Sequence, residues 1–200
     1  MSKKLILASN NKGKIRELKE LLEPFEIEVF GQREAGYDLD ADESGATFAE
    51  NAAIKARALY ALCKCPVLAD DSGLTVEALN GAPGVYSHRF AGENATDEER
   101  CQKLLNMMEN QENRRAAFVC SLCYIDEKGK EYAFQGDVQG MIGAEPRGEN
   151  GFGYDPVFYY GEKSFAQLSG EEKNQISHRG NALQQFCKWL NAEGEKYVNK

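Results

Sequence analysis

The chain has 200 residues, 42% of them apolar and 28% charged, an ordinary globular composition that suits one well-buried domain or two lobes sharing a core. A formal net charge of −8 disfavours nucleic-acid binding as the main role, although a local basic cluster could still take an anionic ligand. No stretch approaches the ~20 apolar residues of a membrane span, and the apolar run at Leu5–Ala8 is far too short for a secretion signal, so a soluble, reduced, cytoplasmic protein is expected.

Leu5-Ile6-Leu7-Ala8 reads as a strand, followed directly by the polar loop Ser9-Asn10-Asn11-Lys12-Gly13-Lys14. Ile15, Leu18, Leu21 and Leu22 then recur at helical spacing until Pro24. Strand, loop and helix in that order aim free backbone N–H groups and the positive end of a helix dipole at the loop. With Lys12 and Lys14 beside it, phosphate is the natural occupant; a solvated loop is the other reading, because the spacing is not that of a Walker loop. Ile27 to Phe30 read as a second strand, and the loop from Gly36 to Gly45 carries Asp38, Asp40, Asp42 and Glu43.

Thr47-Phe48-Ala49-Glu50 is a capping box, predicting a helix from about Phe48 to Cys63 with Phe48, Ala52, Leu59 and Leu62 buried. Asn51 and Lys55, four apart, share a face at the border of that stripe, where the lysine either snorkels to water or stands over a phosphate. Pro66-Val67-Leu68-Ala69 reads as a short buried strand that ends at Asp70-Asp71-Ser72-Gly73. Strand side chains alternate faces, so the two acids enter one site only if the backbone turns between them, which Gly73 would permit. A carboxylate there needs a cation, a helix N-terminus or a metal; an Asx-rich turn is the plainer reading.

A loop rich in Gly and Pro, Gly81 to Phe90, is followed by a second capping box, Thr96 to Glu99, opening a helix with Leu104, Leu105 and Met108 inward. Residues 117–125 and 131–142 read as two strands joined by a hairpin at Asp126-Glu127-Lys128-Gly129. Cys120 and Cys123 fall in the first of these, where free cysteine behaves as a small hydrophobe, and neither of the two histidines lies near a cysteine pair, so structural zinc is not expected. Gly148 to Phe158 contains GxxGxG with no strand before it, which fails as a dinucleotide fingerprint. Its glycines around Phe152, Tyr154 and Asp155 suit either a loop that lets rings approach a flat ligand or an aromatic core turn. Lys173, His178 and Arg179 place three donors just before a final helix carrying Leu183, Phe186, Trp189 and Leu190.

Taken together these segments resemble the inosine triphosphate pyrophosphatase family along essentially the whole chain. The resemblance rests on Ser9 to Lys14, Thr47-Phe48 with Glu50-Asn51 and Lys55, Ala69 to Leu74, Gly81 to Gly84, Gly151 to Pro156, and Ser177 to Gly180, in family order. It implies a mixed α/β fold spanning residues 1–200, with two lobes around a long curved sheet and a central cleft, a homodimer, and Mg²⁺-dependent hydrolysis. The implied reaction cuts ITP, dITP or XTP between the α- and β-phosphates. It further implies that Asp71 is proton acceptor and metal ligand, that Glu43 or its neighbour Asp42 helps hold the metal, and that Ser9, Asn10, Asn11, Lys12, Gly13, Lys14, Lys55 and Ser72 hold the triphosphate. Phe152, Gly153, Tyr154, Asp155, Lys173, His178 and Arg179 are the residues it implies for base and sugar. The chemistry of the residue types agrees, since Mg²⁺ takes one or two carboxylates plus phosphate oxygens and waters, and lysines must offset the acidity of the chain around a polyanion. The non-enzymatic alternative is a nucleotide-binding protein that keeps the pocket without turnover.

Overall fold

The structure, a computed structural model, describes residues 3–198. In chain order its elements are β1 (Lys3–Leu7), α1 (Lys12–Leu22), β2 (Ile27–Gly31), α2 (Phe48–Cys63), β3 (Val67–Val76), α3 (Asp97–Met107), β4 (Arg115–Ile125), β5 (Glu131–Ile142), β6 (Phe158–Tyr160), β7 (Lys163–Ser164), α4 (Gly170–Ile176) and α5 (His178–Val198). The strands form one seven-stranded sheet in the order β2-β1-β3-β4-β5-β6-β7. β1 pairs in parallel with β2 and β3, whereas β6 is antiparallel to β5 and β7, so the sheet is mixed and the fold α/β. Among the described residues no helix is long and apolar enough to cross a membrane.

Contacts divide the chain into two compact units. The first comprises the chain up to Asp71, Cys120–Gly136 and the chain from Arg179 on. Here the two-residue period of the strands serves two cores at once. Leu5, Leu7, Leu68, Cys120 and Leu122 pack with Leu18 and Leu22 of α1 and with Leu183 and Phe186 of α5. The residues between them, Ala8, Val67, Ala69, Cys123 and Ile125, pack with Ala52, Ala56 and Leu59 of α2. The second unit, Ser72–Val119 with Asp137–His178, is centred on Leu74, Leu104, Phe118, Phe158 and Phe165. Its rings are in edge and stacked contact, with Phe158 lying 4.6 Å from Phe118 and 4.8 Å from Phe165 between centroids.

Three expectations are corrected. The strand at Val67 does not stop at the acids but runs through Asp70, Asp71 and Gly73 to Val76, with no turn between the carboxylates. Pairing with β1 ends at Leu68, and beyond it the strand stays extended beside β4, so glycine's freedom to turn goes unused. Leu62 is 58% exposed, because the stripe of α2 runs through Ala52, Ala56 and Leu59 and continues to Cys63 instead. Lys173 precedes the final helix but within the separate helix α4, while His178 and Arg179 stand not before α5 but in its first turn.

The Thr47 hydroxyl accepts from the Glu50 amide at 3.2 Å, and Glu50 Oε2 accepts from the Thr47 amide at 3.1 Å, so the capping box that opens α2 is formed. Thr47→Ala is expected to lower unfolding free energy by about 0.5–2 kcal/mol in urea titration; no loss would show that packing alone sets where α2 begins.

Candidate active site

Because β3 stays extended, its adjacent acids point to opposite faces of the sheet. Asp70 shares the face of Leu68 and meets α1 and α5. Its Oδ2 accepts from Arg179 Nε at 2.9 Å and from the Cys120 thiol at 3.1 Å, and its Oδ1 lies 2.5 Å from Lys14 Nζ. Arg179 Nη1 is bonded in turn to Glu17 on α1. Asp70, Arg179 and Glu17 are all buried. Burial works against the charge on Asp70, but Arg179 and Lys14 outweigh it and hold the carboxyl well below the usual carboxylate range. Burial likewise works against the guanidinium, and Asp70 and Glu17 reverse that and raise its pKa.

Asp71 shares the face of Ala69 and meets α2. Lys55 Nζ lies 2.8 Å from Asp71 Oδ1 and 2.9 Å from Glu43 Oε1, so two carboxylates from different segments converge on one cation position. Burial disfavours the ammonium, yet the two acids reverse this and raise the pKa of Lys55. Asp71 is pushed above the usual carboxylate range by burial, offset in part by Lys55 and Lys14. Asn51, one turn before Lys55, anchors the acidic loop by accepting from the Gly45 amide at 2.8 Å. A side chain at Gly45 would place its Cβ 2.7 Å from Asn51 Oδ1, so the approach requires glycine. Asp42 is exposed, and its carbonyl accepts from the Ser44 amide.

Ser9 to Lys14 bridges β1 and α1 as expected. Asn11 is the N-cap, accepting from the Lys14 amide at 3.0 Å, while the Asn11 amide donates to Ser9 Oγ at 3.1 Å. The first turn of α1 holds no acidic residue, and Lys12 and Asn10 are exposed beside it. Its dipole therefore faces outward unopposed, the arrangement that suits an anion. Lys14 reaches back from this turn to Asp70, and its charge is felt at Asp71.

The second unit holds the aromatic set. Phe152 is half-buried; its amide donates to Asp155 Oδ2 at 2.9 Å, and Lys173 Nζ lies 2.6 Å from the same oxygen and 4.8 Å from the Phe152 ring centroid. Gly151 has φ +77°, and a Cβ there would fall 2.1 Å from Asp155 Oδ2. Tyr154 is buried and donates its hydroxyl to Ser87 O at 2.8 Å. The His178 ring is buried and stacked on Phe118 at 4.8 Å. Ser72 is half-buried, next in the strand after Asp71. Phe152 thus presents a ring, whereas Tyr154, Asp155, Lys173 and His178 are mostly internal. Arg179, expected among the base-reading donors, has its Nε and Nη1 held by Asp70 and Glu17, because a buried guanidinium needs carboxylate partners.

Glu17, Asp97 and Arg100 carry polar structure that local sequence pattern does not single out; only Glu17, three residues after Lys14 and beside Leu18, leaves a legible sign. Among the described residues no group of three or more His, Cys, Asp or Glu side chains clusters as metal ligands. Mg²⁺ does not require one, since it takes one or two carboxylates and completes its shell with waters and phosphate. The donor set fits it: Asp71 and Glu43 already share a cation, and Asp71 Oδ2 is buried with no hydrogen-bond partner among the described residues.

The model of the Ham1 family matches residues 5–189. A protein of Staphylococcus aureus (strain Mu50 / ATCC 700699) named dITP/XTP pyrophosphatase is 47% identical over 198 residues, covering 98% of this chain and 100% of its own. One of the same name from Photorhabdus laumondii is 47% identical over 94% of this chain and 98% of its own. The solved Ham1 protein structures of Staphylococcus aureus and Coxiella burnetii each superpose with TM-score 0.86 at 46% identity, covering 96% and 95% of this chain and 100% and 99% of theirs.

Removing one member of a buried ion pair leaves the others uncompensated. Asp70→Asn is expected to cost about 3–5 kcal/mol of unfolding free energy in urea titration. A loss under about 1 kcal/mol would mean that Arg179 and Lys14 do not depend on that carboxylate.

Proposed function

The chain belongs to the Ham1 family, and from that premise we propose that it is a nucleoside triphosphate pyrophosphatase acting on dITP and XTP, the substrates in its relatives' names. The observation that carries this reading is the convergence of Asp71 and Glu43 on one cation position, with the charge of Lys14 also acting on Asp71. Such a constellation suits phosphoryl transfer, where catalysis is mostly charge neutralisation and positioning. We infer water attack at the α-phosphorus with pyrophosphate as leaving group, and ITP as a further substrate.

Lys14, Lys55 and the first-turn amides of α1, with Ser9, Asn10, Asn11, Lys12, Gly13 and Ser72, hold the phosphates in this reading. Both lysines are paired with carboxylates as they stand, and a polyanion competes for their ammonium groups. Asp71 takes the proton of the attacking water, a role that suits a carboxylate whose burial raises its pKa above the usual range. Asp71 and Glu43 would hold Mg²⁺, which neutralises phosphate charge and lowers the pKa of water when bound. The exposed position of Asp42 favours Glu43 as the second ligand. Phe152 offers its face to the purine, and a base site lined with donors would favour the 6-oxo group of hypoxanthine and xanthine over the 6-amino group of adenine. A buried donor left facing adenine costs about 1–3 kcal/mol. Family resemblance supports a homodimer in the cytoplasm, clearing non-standard nucleotides from the pool.

The test is a panel of dITP, XTP, ITP and dATP with Mg²⁺ or with excess EDTA, resolving pyrophosphate from orthophosphate. Pyrophosphate released from the 6-oxo purines alone, and only with Mg²⁺, is expected; orthophosphate as first product would move the cut to the terminal phosphate. Asp71→Asn is expected to lower kcat by about 10²–10⁴ with the fold retained by circular dichroism. Ordinary turnover in that variant would take the proton transfer away from Asp71.

A further inference from the structure

The loop that carries Phe152 is gripped from an element the site does not otherwise use. Asp97 is the first residue of α3, yet it takes no part in capping that helix: Thr96 Oγ accepts from the Glu99 amide at 3.2 Å, and Glu99 Oε2 accepts from the Thr96 amide at 2.7 Å. The Asp97 carboxylate is turned elsewhere. Its Oδ2 accepts from the Gly153 amide at 2.7 Å, and its Oδ1 from Arg100 Nη2 at 2.6 Å. Arg100 is buried and donates through Nη1 to His88 O at 2.9 Å and to Ala95 O at 2.5 Å, so the carboxylate is braced against the preceding loop. One turn further on, the Cys101 thiol donates to Gly153 O at 3.4 Å. A single turn of α3 thus engages both the N–H and the C=O of Gly153.

Gly153 is in the left-handed region, φ +64°, where its neighbours leave space but an L side chain is disfavoured. On its other side the Phe152 amide is fixed by Asp155, itself paired with Lys173. The backbone on both sides of the ring is therefore fixed, from α4 through Asp155 and from α3 through Asp97. A hydrogen bond to a carboxylate is roughly twice as strong as a neutral one.

We propose that Asp97, braced by Arg100, is a positioning residue that sets where the Phe152 ring stands and thereby how tightly the purine base is held. The proposal rests on the nucleotide reading above. It predicts a defect in binding rather than in bond cleavage, since neither Asp97 nor Arg100 belongs to the set built on Asp71.

The experiment uses the full chain with Asp97→Asn, Asp97→Ala and, as control, Glu98→Ala, which removes an exposed charge from the same helix turn. Amide hydrogen exchange is read across residues 152–154, and KM and kcat are read with dITP and Mg²⁺. Exchange and KM are expected to rise together, by about threefold in Asp97→Asn, which keeps an acceptor, and about tenfold in Asp97→Ala, with kcat within about twofold of wild type. Glu98→Ala is expected to match wild type in all three. Should Asp97→Ala fail to fold, Asp97→Asn decides, and wild-type exchange and KM in it overturn the proposal. An equal loss of kcat with KM unchanged also overturns it. Wild-type protein that fails to turn over dITP would instead overturn the substrate reading, and faster exchange at Gly153 confined to the Asp97 variants would still show the grip.

Discussion

Asp70 is wholly buried, and a carboxylate in such a place is driven toward its neutral form unless cations reach it. Three elements supply what it needs: Lys14 from the first turn of α1, Arg179 from the first turn of α5, and the Cys120 thiol from the neighbouring strand β4. Glu17 then satisfies the rest of the guanidinium. The Ser9–Lys14 segment is consequently tied to the strand that carries Asp71, because Lys14 pairs with Asp70 on that strand. Shifting β3 by one residue would turn Asp70 toward α2 and Leu68 away from the core that it shares with α1 and α5, so this charge network and the apolar alternation favour the same register.

On the other face Asp71 is balanced differently. It has one lysine shared with Glu43 rather than two cations of its own, and one of its oxygens has no partner among the described residues. Its charge is therefore less well compensated than that of Asp70, as the opposite directions of the two pKa shifts record. Neighbouring acids in one strand thus stand in different surroundings, the first tying α1 and α5 to β3 and the second sharing a lysine with the acidic loop.

How much of this could be read beforehand depends on how local each feature is. The capping boxes at Thr47 and Thr96, the strand-loop-helix at Ser9 to Lys14 and the hairpin at Asp126 involve residues within a few positions of each other, and all were legible. The extended run through Gly73 was not, because whether the strand goes on past the acids depends on β4, more than forty residues further along the chain. Leu62 misled for a related reason: the buried stripe of α2 depends on which neighbour it packs against.

Sequence alone was enough to establish the types of group present and their family order: the lysine-bearing loop, the acidic pair, the Gly-rich aromatic turn and the donors near the last helix. Tertiary structure decided which of them are engaged. Arg179 is 109 residues from Asp70 in the chain and Gly153 is 56 from Asp97, and nothing in either local stretch announces its partner. Pairing over such separations is set by which faces of strand and helix come to be buried together, and a buried charge takes whatever opposite charge that packing brings within reach.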